Sequence, residues 1–264
     1  VQGMIDAAKE YEQMELGTRA AMTETYETGD YEGEGWKVLQ GDACERMKEI
    51  PDHSVHLSIF SPPFGSLYQY SSTERDLGNC TSLPIFLEHF GFMVHELTRI
   101  TKPGRLACVH VADIPAMLVR DGYIGVKNFS DDGVRSFEAH DWIYNGRITI
   151  DKNPQIAAIR THVKALAFPQ LKKDSSVMRP TLADYVLLFV APGENETPII
   201  PDIDNETWIQ WAHACWYGIR ETDTLSTAGT KSHEDDKHLC PLQLEVIVRC
   251  IRMWSNPGEL ICSS

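Results

Sequence analysis

The chain has 264 residues, 42% of them apolar, and a formal net charge of −14 from 38 acidic and 24 basic side chains. That length buries the core of one large domain with a small appendage, and the charge excludes a surface coated in basic groups for non-specific nucleic-acid binding while leaving room for a local basic groove. No window approaches the roughly 20 apolar residues of a membrane helix and the start lacks the regions of a signal peptide, so no membrane partner and a cytoplasmic location are expected.

Residues 1–22 carry an imperfect apolar stripe (Ile5, Ala8, Tyr11, Met14, Leu16) that predicts a peripheral helix. From Glu12 to Glu34 acidic residues such as Glu24, Glu27, Asp30 and Glu32 alternate with Thr, Gly and Tyr, which reads as a solvated linker. Residues 1–35 are therefore expected as helix plus linker, and 36–264 as the main domain.

WKVLQGD (Trp36 to Asp42) reads as a strand and ACERMKEI as one or two helical turns stopped by Pro51. HLSIF (His56 to Phe60) is a buried strand that delivers SPPFG at its carboxyl end. Ser82 and Pro84 open a helix that runs to Ile100 and is ended by TKPG, Thr101 to Gly104. RLACVHVAD, NGRITIDK and ADYVLLFVAPG read as further strands. A last helix follows, with apolar Leu244, Ile247, Val248, Ile251 and Met253 or Trp254, before an Asn-Pro-Gly turn. Strands alternating with helices imply an α/β fold, a mostly parallel sheet with helices on both faces.

The seven cysteines form no CxxC pair and several lie in apolar runs, as reduced core thiols do. His233, His238 and Cys240 are close in sequence, but their spacing matches no common zinc pattern, and no metal is expected.

In an open α/β sheet ligands sit outside the carboxyl ends of the strands, where SPPF lies. Pro62 and Pro63 have fixed φ and no N–H, so the turn is stiff and can aim backbone carbonyls at a guest. Ser61 adds a hydroxyl acceptor and Phe64 a flat apolar face, a set that suits a planar ligand bearing an amino group. Taken alone, the tetrapeptide is equally a turn that ends a strand with Phe64 buried.

The order VLQGDACERMKEIPDHSVHLSIFSPPF, HELTRITKPG, ADYVLLFVAPG and DDKHLCPLQLEVIVRCIRMWSNPGELI resembles the permuted, beta-type DNA amino-methyltransferases, over most of the chain after Trp36. The resemblance implies a Rossmann-like S-adenosylmethionine-dependent methyltransferase sheet, double-stranded DNA as partner, and methyl transfer to the exocyclic amino group of a flipped base. Phe64 would stack on that base, Ser61 Oγ and the Pro62 carbonyl would accept hydrogen bonds from its amino group, and Pro63 would keep the turn rigid. Ser61, where many relatives carry Asp, favours cytosine N4 over adenine N6.

Asp42 matches the acidic residue near the cofactor's adenine, with a solvated strand-end aspartate as the alternative. Lys237, His238, Cys240 and Pro241 match the cofactor-side segment, and His238 alternatively caps or joins the core. Lys164, Lys172, Lys173 and Arg179 cluster as a phosphate-facing loop would, although any solvated loop would look the same. Target-recognition segments are expected at about residues 160–180 and 205–235, the latter holding Trp208, Trp211, Trp216 and Tyr217 or an aromatic cluster that merely packs.

In the permuted relatives a glycine-rich cofactor motif follows the PGELICSS stretch. The expectation is therefore a sheet incomplete at its C-terminus, a piece of a longer polypeptide with further domains, activity that needs residues beyond Ser264, and weak S-adenosylmethionine binding by this stretch alone. A methyltransferase of RNA or of protein glutamine, and a catalytically inert DNA-binding or assembly module, are the competing readings.

Overall fold

A computed structural model describes residues 26–65, 73, 75–80, 82–116, 121–161, 168–225 and 242–264. The helix expected over residues 1–22 lies outside the described residues.

The described chain opens with a hairpin in which β1 (Gly29–Gly33) pairs antiparallel with β2 (Trp36–Gln40), the turn closed by Gly35 at φ +79°. Two expectations are corrected here. The end of the acidic stretch is a strand, because Gly29–Gly33 finds ladder partners across the turn, and the hairpin straddles residue 35. WKVLQ stands outside the main sheet: no residue of β2 is buried, so it lacks the two-sided cover of a central parallel strand.

A short helix α1 (Ala43–Met47) follows, then β3 (Val55–Phe60), α2 (Leu83–Ile100) and β4 (Thr101–Ala112). A small ribbon of β5 (Ile114–Ala116) and β6 (Gly125–Lys127) leads to α3 (Phe129–Glu138) and β7 (Ile143–Ile150). Beyond it come α4 (Pro154–Thr161), α5 (Phe168–Lys173), β8 (Asp184–Val190), α6 (Asn205–Trp211), β9 (Cys215–Trp216), α7 (Leu244–Trp254) and β10 (Ile261–Cys262).

The main sheet has six strands in the order β10-β3-β4-β8-β7-β9. Neighbours β10, β3 and β4 are mutually parallel, as are β7 and β9, while β8 runs antiparallel to both β4 and β7. All strands but β8 therefore point one way, as the strand and helix alternation implied. The reversal of β8 follows from its connections, since the chain returns from the carboxyl end of β7 without crossing the sheet.

Period-two alternation divides the core. Phe60, Ala107, Val109, Leu187 and Phe189 face α2 and α3, whereas Leu57, Ile59, Cys108, Ile148, Val186 and Leu188 face α7. Helix α2 buries Phe86, Phe90, Met93, Val94, Leu97 and Ile100 at helical spacing, each worth roughly 1.5–3 kcal/mol on removal from water. Its N-terminus is capped by Ser82 Oγ, which accepts from the Ile85 N–H, and Pro84 sits in the first turn, where a missing N–H costs nothing.

TKPG is more than a helix stop: Thr101 both ends α2 and begins β4. Gly104, at φ +66°, lets the strand pass so close to the Asn195 backbone that a Cβ would sit 2.4 Å from its nitrogen. Arg105 is buried; it donates to the carbonyls of His56 and Thr197 and pairs with Glu259, which ties the turn before β10 to the sheet. No helix among the described residues is long and apolar enough to cross a membrane.

Candidate active site

The carboxyl ends of β3, β4 and β7 and the amino end of β8 meet at one end of the sheet, because β8 alone is reversed. Alternation then selects which side chains meet. Ser61 continues the face of Leu57 and Ile59, His110 that of Leu106 and Cys108, Lys152 that of Ile148 and Ile150, and Asp184 that of Val186 and Leu188. His110 is registered with Val186 and Ala112 with Asp184, so His110 and Asp184 are diagonal neighbours across the β4–β8 ladder.

The four side chains form a continuous polar chain in an otherwise apolar layer. Ser61 Oγ lies 3.1 Å from His110 Nδ1, and His110 Nε2 lies 3.1 Å from Asp184 Oδ2. Lys152 Nζ is 2.7 Å from that same carboxylate oxygen. His110 is 7% exposed. Burial by itself would raise the Asp184 carboxyl, but its hydrogen bond to His110 and the positive charge of Lys152 outweigh that and hold it below the ordinary carboxylate range.

Around this chain the SPPF turn is rigid. Pro62 is buried and lines the same small apolar cavity as Phe86, Val109 and Phe129, and the Pro63 carbonyl accepts from the Gly65 N–H at 3.0 Å, a tight turn that Gly65 closes at φ +56°. Among the described residues no donor engages the Pro62 carbonyl. Phe64 is half-buried, its ring centroid 6.0 Å from those of both His110 and Phe129. It is thus neither sunk in the core nor free of it.

Ser, His and Asp in contact are also the components of a hydrolytic relay, but here the two residues after Ser61 are prolines. They have no N–H to donate to an oxyanion, and Ser61 is better placed to accept hydrogen bonds than to attack a carbonyl.

The other expected residues are dispersed. Asp42 caps α1, its Oδ1 accepting from the Glu45 N–H at 3.3 Å, and its Oδ2 takes Arg75 at 3.0 Å, so both oxygens are engaged within the protein. Lys237, His238, Cys240 and Pro241, and with them His233, lie outside the described residues, as does Lys164. Lys172 and Lys173 are exposed in the last turn of α5, and Lys172 rests over the Phe168 ring. Arg179 is half-buried, and burial pulls its guanidinium below the usual arginine range. Of the expected aromatic segment, Trp216 is buried in β9 and Trp211 packs beside Arg249 and Arg252, while Trp208 and Tyr217 are exposed.

The sequence reading missed His110, Lys152 and Asp184. The signal was there: a histidine inside the apolar run ACVHVA, and an aspartate at the head of YVLLFV, are polar groups where burial demands a partner.

The same fold occurs in solved structures. A protein of Thermus thermophilus assigned as a DNA modification methylase, crystallised with S-adenosyl-L-methionine, matches with a TM-score of 0.60 at 20% identity over 84% of this chain and 76% of its own. The cytosine-N4-specific PvuII DNA methyltransferase matches with a TM-score of 0.57 at 16% identity over 84% of this chain and 71% of its own. The chain has the Rossmann-like α/β fold of these two structures. No protein-family model and no curated protein matches the sequence. Within this fold Ser61 to Phe64 lie at the carboxyl end of a central parallel strand, where open α/β sheets bind their ligands.

Proposed function

We propose that this chain acts as a DNA amino-methyltransferase on the exocyclic nitrogen of a flipped base, with cytosine N4 favoured over adenine N6. The observation that carries the reading is the acceptor pair at the end of β3: a Ser61 hydroxyl already bound to His110 and a Pro62 carbonyl with no donor of its own among the described residues. The fold shared with DNA methylases supports it.

An amino group conjugated into a base ring is a poor nucleophile, and inside the stack it is out of reach. Two acceptors that draw on its two hydrogens pull the nitrogen toward tetrahedral geometry and expose its lone pair. Ser61 Oγ and the Pro62 carbonyl are held for that purpose by a turn with no rotational freedom at two successive φ angles. Phe64 offers the base an aromatic wall. S-adenosylmethionine, when bound, would supply an activated methyl group for transfer to that nitrogen, whose surplus proton would leave to solvent.

The described residues fit such a cofactor in part. Gln243 Oε1, at the N-terminus of α7 beside the segment expected to face the methionine end, is buried without a partner and suits an ammonium or hydroxyl donor. Asp42 is committed to Arg75 and to its helix cap, which weakens its assignment to the adenine.

The connection from β7 to β8 leaves and re-enters the sheet at this same end and carries Lys172, Lys173 and Arg179, so phosphate contacts from its rim fit DNA approaching Ser61. The test is nucleoside mass spectrometry of DNA incubated with S-adenosylmethionine and the protein. N4-methylcytosine that disappears with Ser61→Ala supports the reading. N6-methyladenine overturns the base preference, and methylation confined to RNA or protein overturns DNA as substrate.

A further inference from the structure

Resting on the reading of Ser61 as an acceptor for an amino group, we infer that His110 is a positioning residue that fixes the polarity of that hydroxyl. Held by Asp184 as the Nε2–H tautomer, its Nδ1 takes the Ser61 proton, so Ser61 can turn only lone pairs toward the substrate and admits an amino group in preference to a carbonyl.

The inference follows from the donor and acceptor inventory along the chain. Lys152 has three donors and no acceptor, and it sits 2.7 Å from Asp184 Oδ2, which keeps that carboxyl ionised and acceptor-only. An ionised carboxylate can only accept, so the 3.1 Å contact with His110 Nε2 requires that nitrogen to carry hydrogen. In a neutral imidazole the other nitrogen is then an acceptor, and the 3.1 Å contact with Ser61 Oγ is an O–H donated to Nδ1. With Asp184 ionised and the ring neutral, no other assignment satisfies both contacts.

The consequence is chemical. A free serine hydroxyl rotates and serves a carbonyl or an amine equally well. One whose proton is spent on Nδ1 keeps two lone pairs and no donor. Cytosine and adenine present N–H at their exocyclic position, whereas uracil and thymine present oxygen at the equivalent place, and oxygen facing oxygen at hydrogen-bond distance is repulsive. Pro62 contributes a carbonyl oxygen of the same polarity, so both groups reject the same partners. The Phe64 ring, its centroid 6.0 Å from that of the His110 ring, packs beside the imidazole at a tilt of 44°.

Two measurements on the full chain test this. Nitrogen-15 NMR of the His110 ring reads the tautomer without any need for turnover: an Nε2–H with an unprotonated Nδ1 is expected, and an Nδ1–H ring overturns the inference whatever the reaction. Turnover is then compared in a double-mutant cycle. His110→Phe lowers methyl transfer about 10²-fold in the Ser61 background, as misorientation of a reacting contact does, and adds almost nothing when Ser61→Ala is already present. His110→Asn, whose amide oxygen takes the place of Nδ1, restores part of the loss and serves if the Phe variant does not fold. An equal drop from His110→Phe in both backgrounds marks a merely structural histidine and overturns the inference. Absence of any methylated base, with the Nε2–H tautomer present, overturns the proposed reaction and leaves the orientation of Ser61 standing.

Discussion

Lys152 and Asp184 pair at 2.7 Å across the ends of β7 and β8, on the same carboxylate oxygen that receives His110. Because the folded Asp184 carboxyl titrates below the unfolded value of about 3.9, its stabilisation is fully present above about pH 4 and is lost as pH falls through the folded value. Asp184→Asn should lower stability at pH 7 and flatten the acid limb by up to about 1.4 kcal/mol per pH unit, the slope of one proton. Urea unfolding between pH 7 and pH 2 measures it. Identical slopes for the two proteins would show that the pair is not coupled to folding.

Ser61→Ala should cost at least about 10² in methyl transfer, as loss of one preorganised hydrogen-bond group does, and only about 1 kcal/mol of stability. Single-turnover kinetics alongside thermal denaturation separate the two. A variant with full turnover would remove Ser61 from the chemistry.

Gly104 and Gly122 both have positive φ, but only Gly104 has backbone within 3 Å of where a Cβ would stand. Gly122→Ala should cost about 1–2 kcal/mol for the left-handed conformation alone, and Gly104→Ala more than that, because Asn195 must move as well. Equal midpoints in thermal denaturation would contradict the close approach.

Arg105 is buried with Glu259 as its counter-charge and two carbonyls as acceptors. Removing one partner strands the other, so Arg105→Met should cost about 3–5 kcal/mol, and adding Glu259→Gln should recover part of it. A double variant no more stable than Arg105→Met would show that the pair is not the reason Arg105 matters.

Much of the frame is legible without the structure. The strands at His56 to Phe60 and Arg105 to Asp113 and the helix from Ser82 to Ile100 announce themselves by apolar period and by caps, which are local signals. WKVLQ reads as a sheet strand and is half of an exposed hairpin, because five residues of alternating character do not say which partner they will find. His110 and Asp184 escape a sequence reading for a related reason: each is a lone polar residue in an apolar run, and its meaning depends on what lies across the ladder.

The stiffness and position of the SPPF turn are written in the chain, since proline's fixed φ and missing N–H act within a few bonds and need no neighbour. So is the two-faced alternation that sends Ser61, His110, Lys152 and Asp184 to one side of their strands. That these four meet is a property of the folded sheet alone. Strand order and the reversal of β8 are settled by burial of whole faces and by chain connection, and hydrogen bonds between residues 49 and 74 positions apart exist only once that sheet has closed.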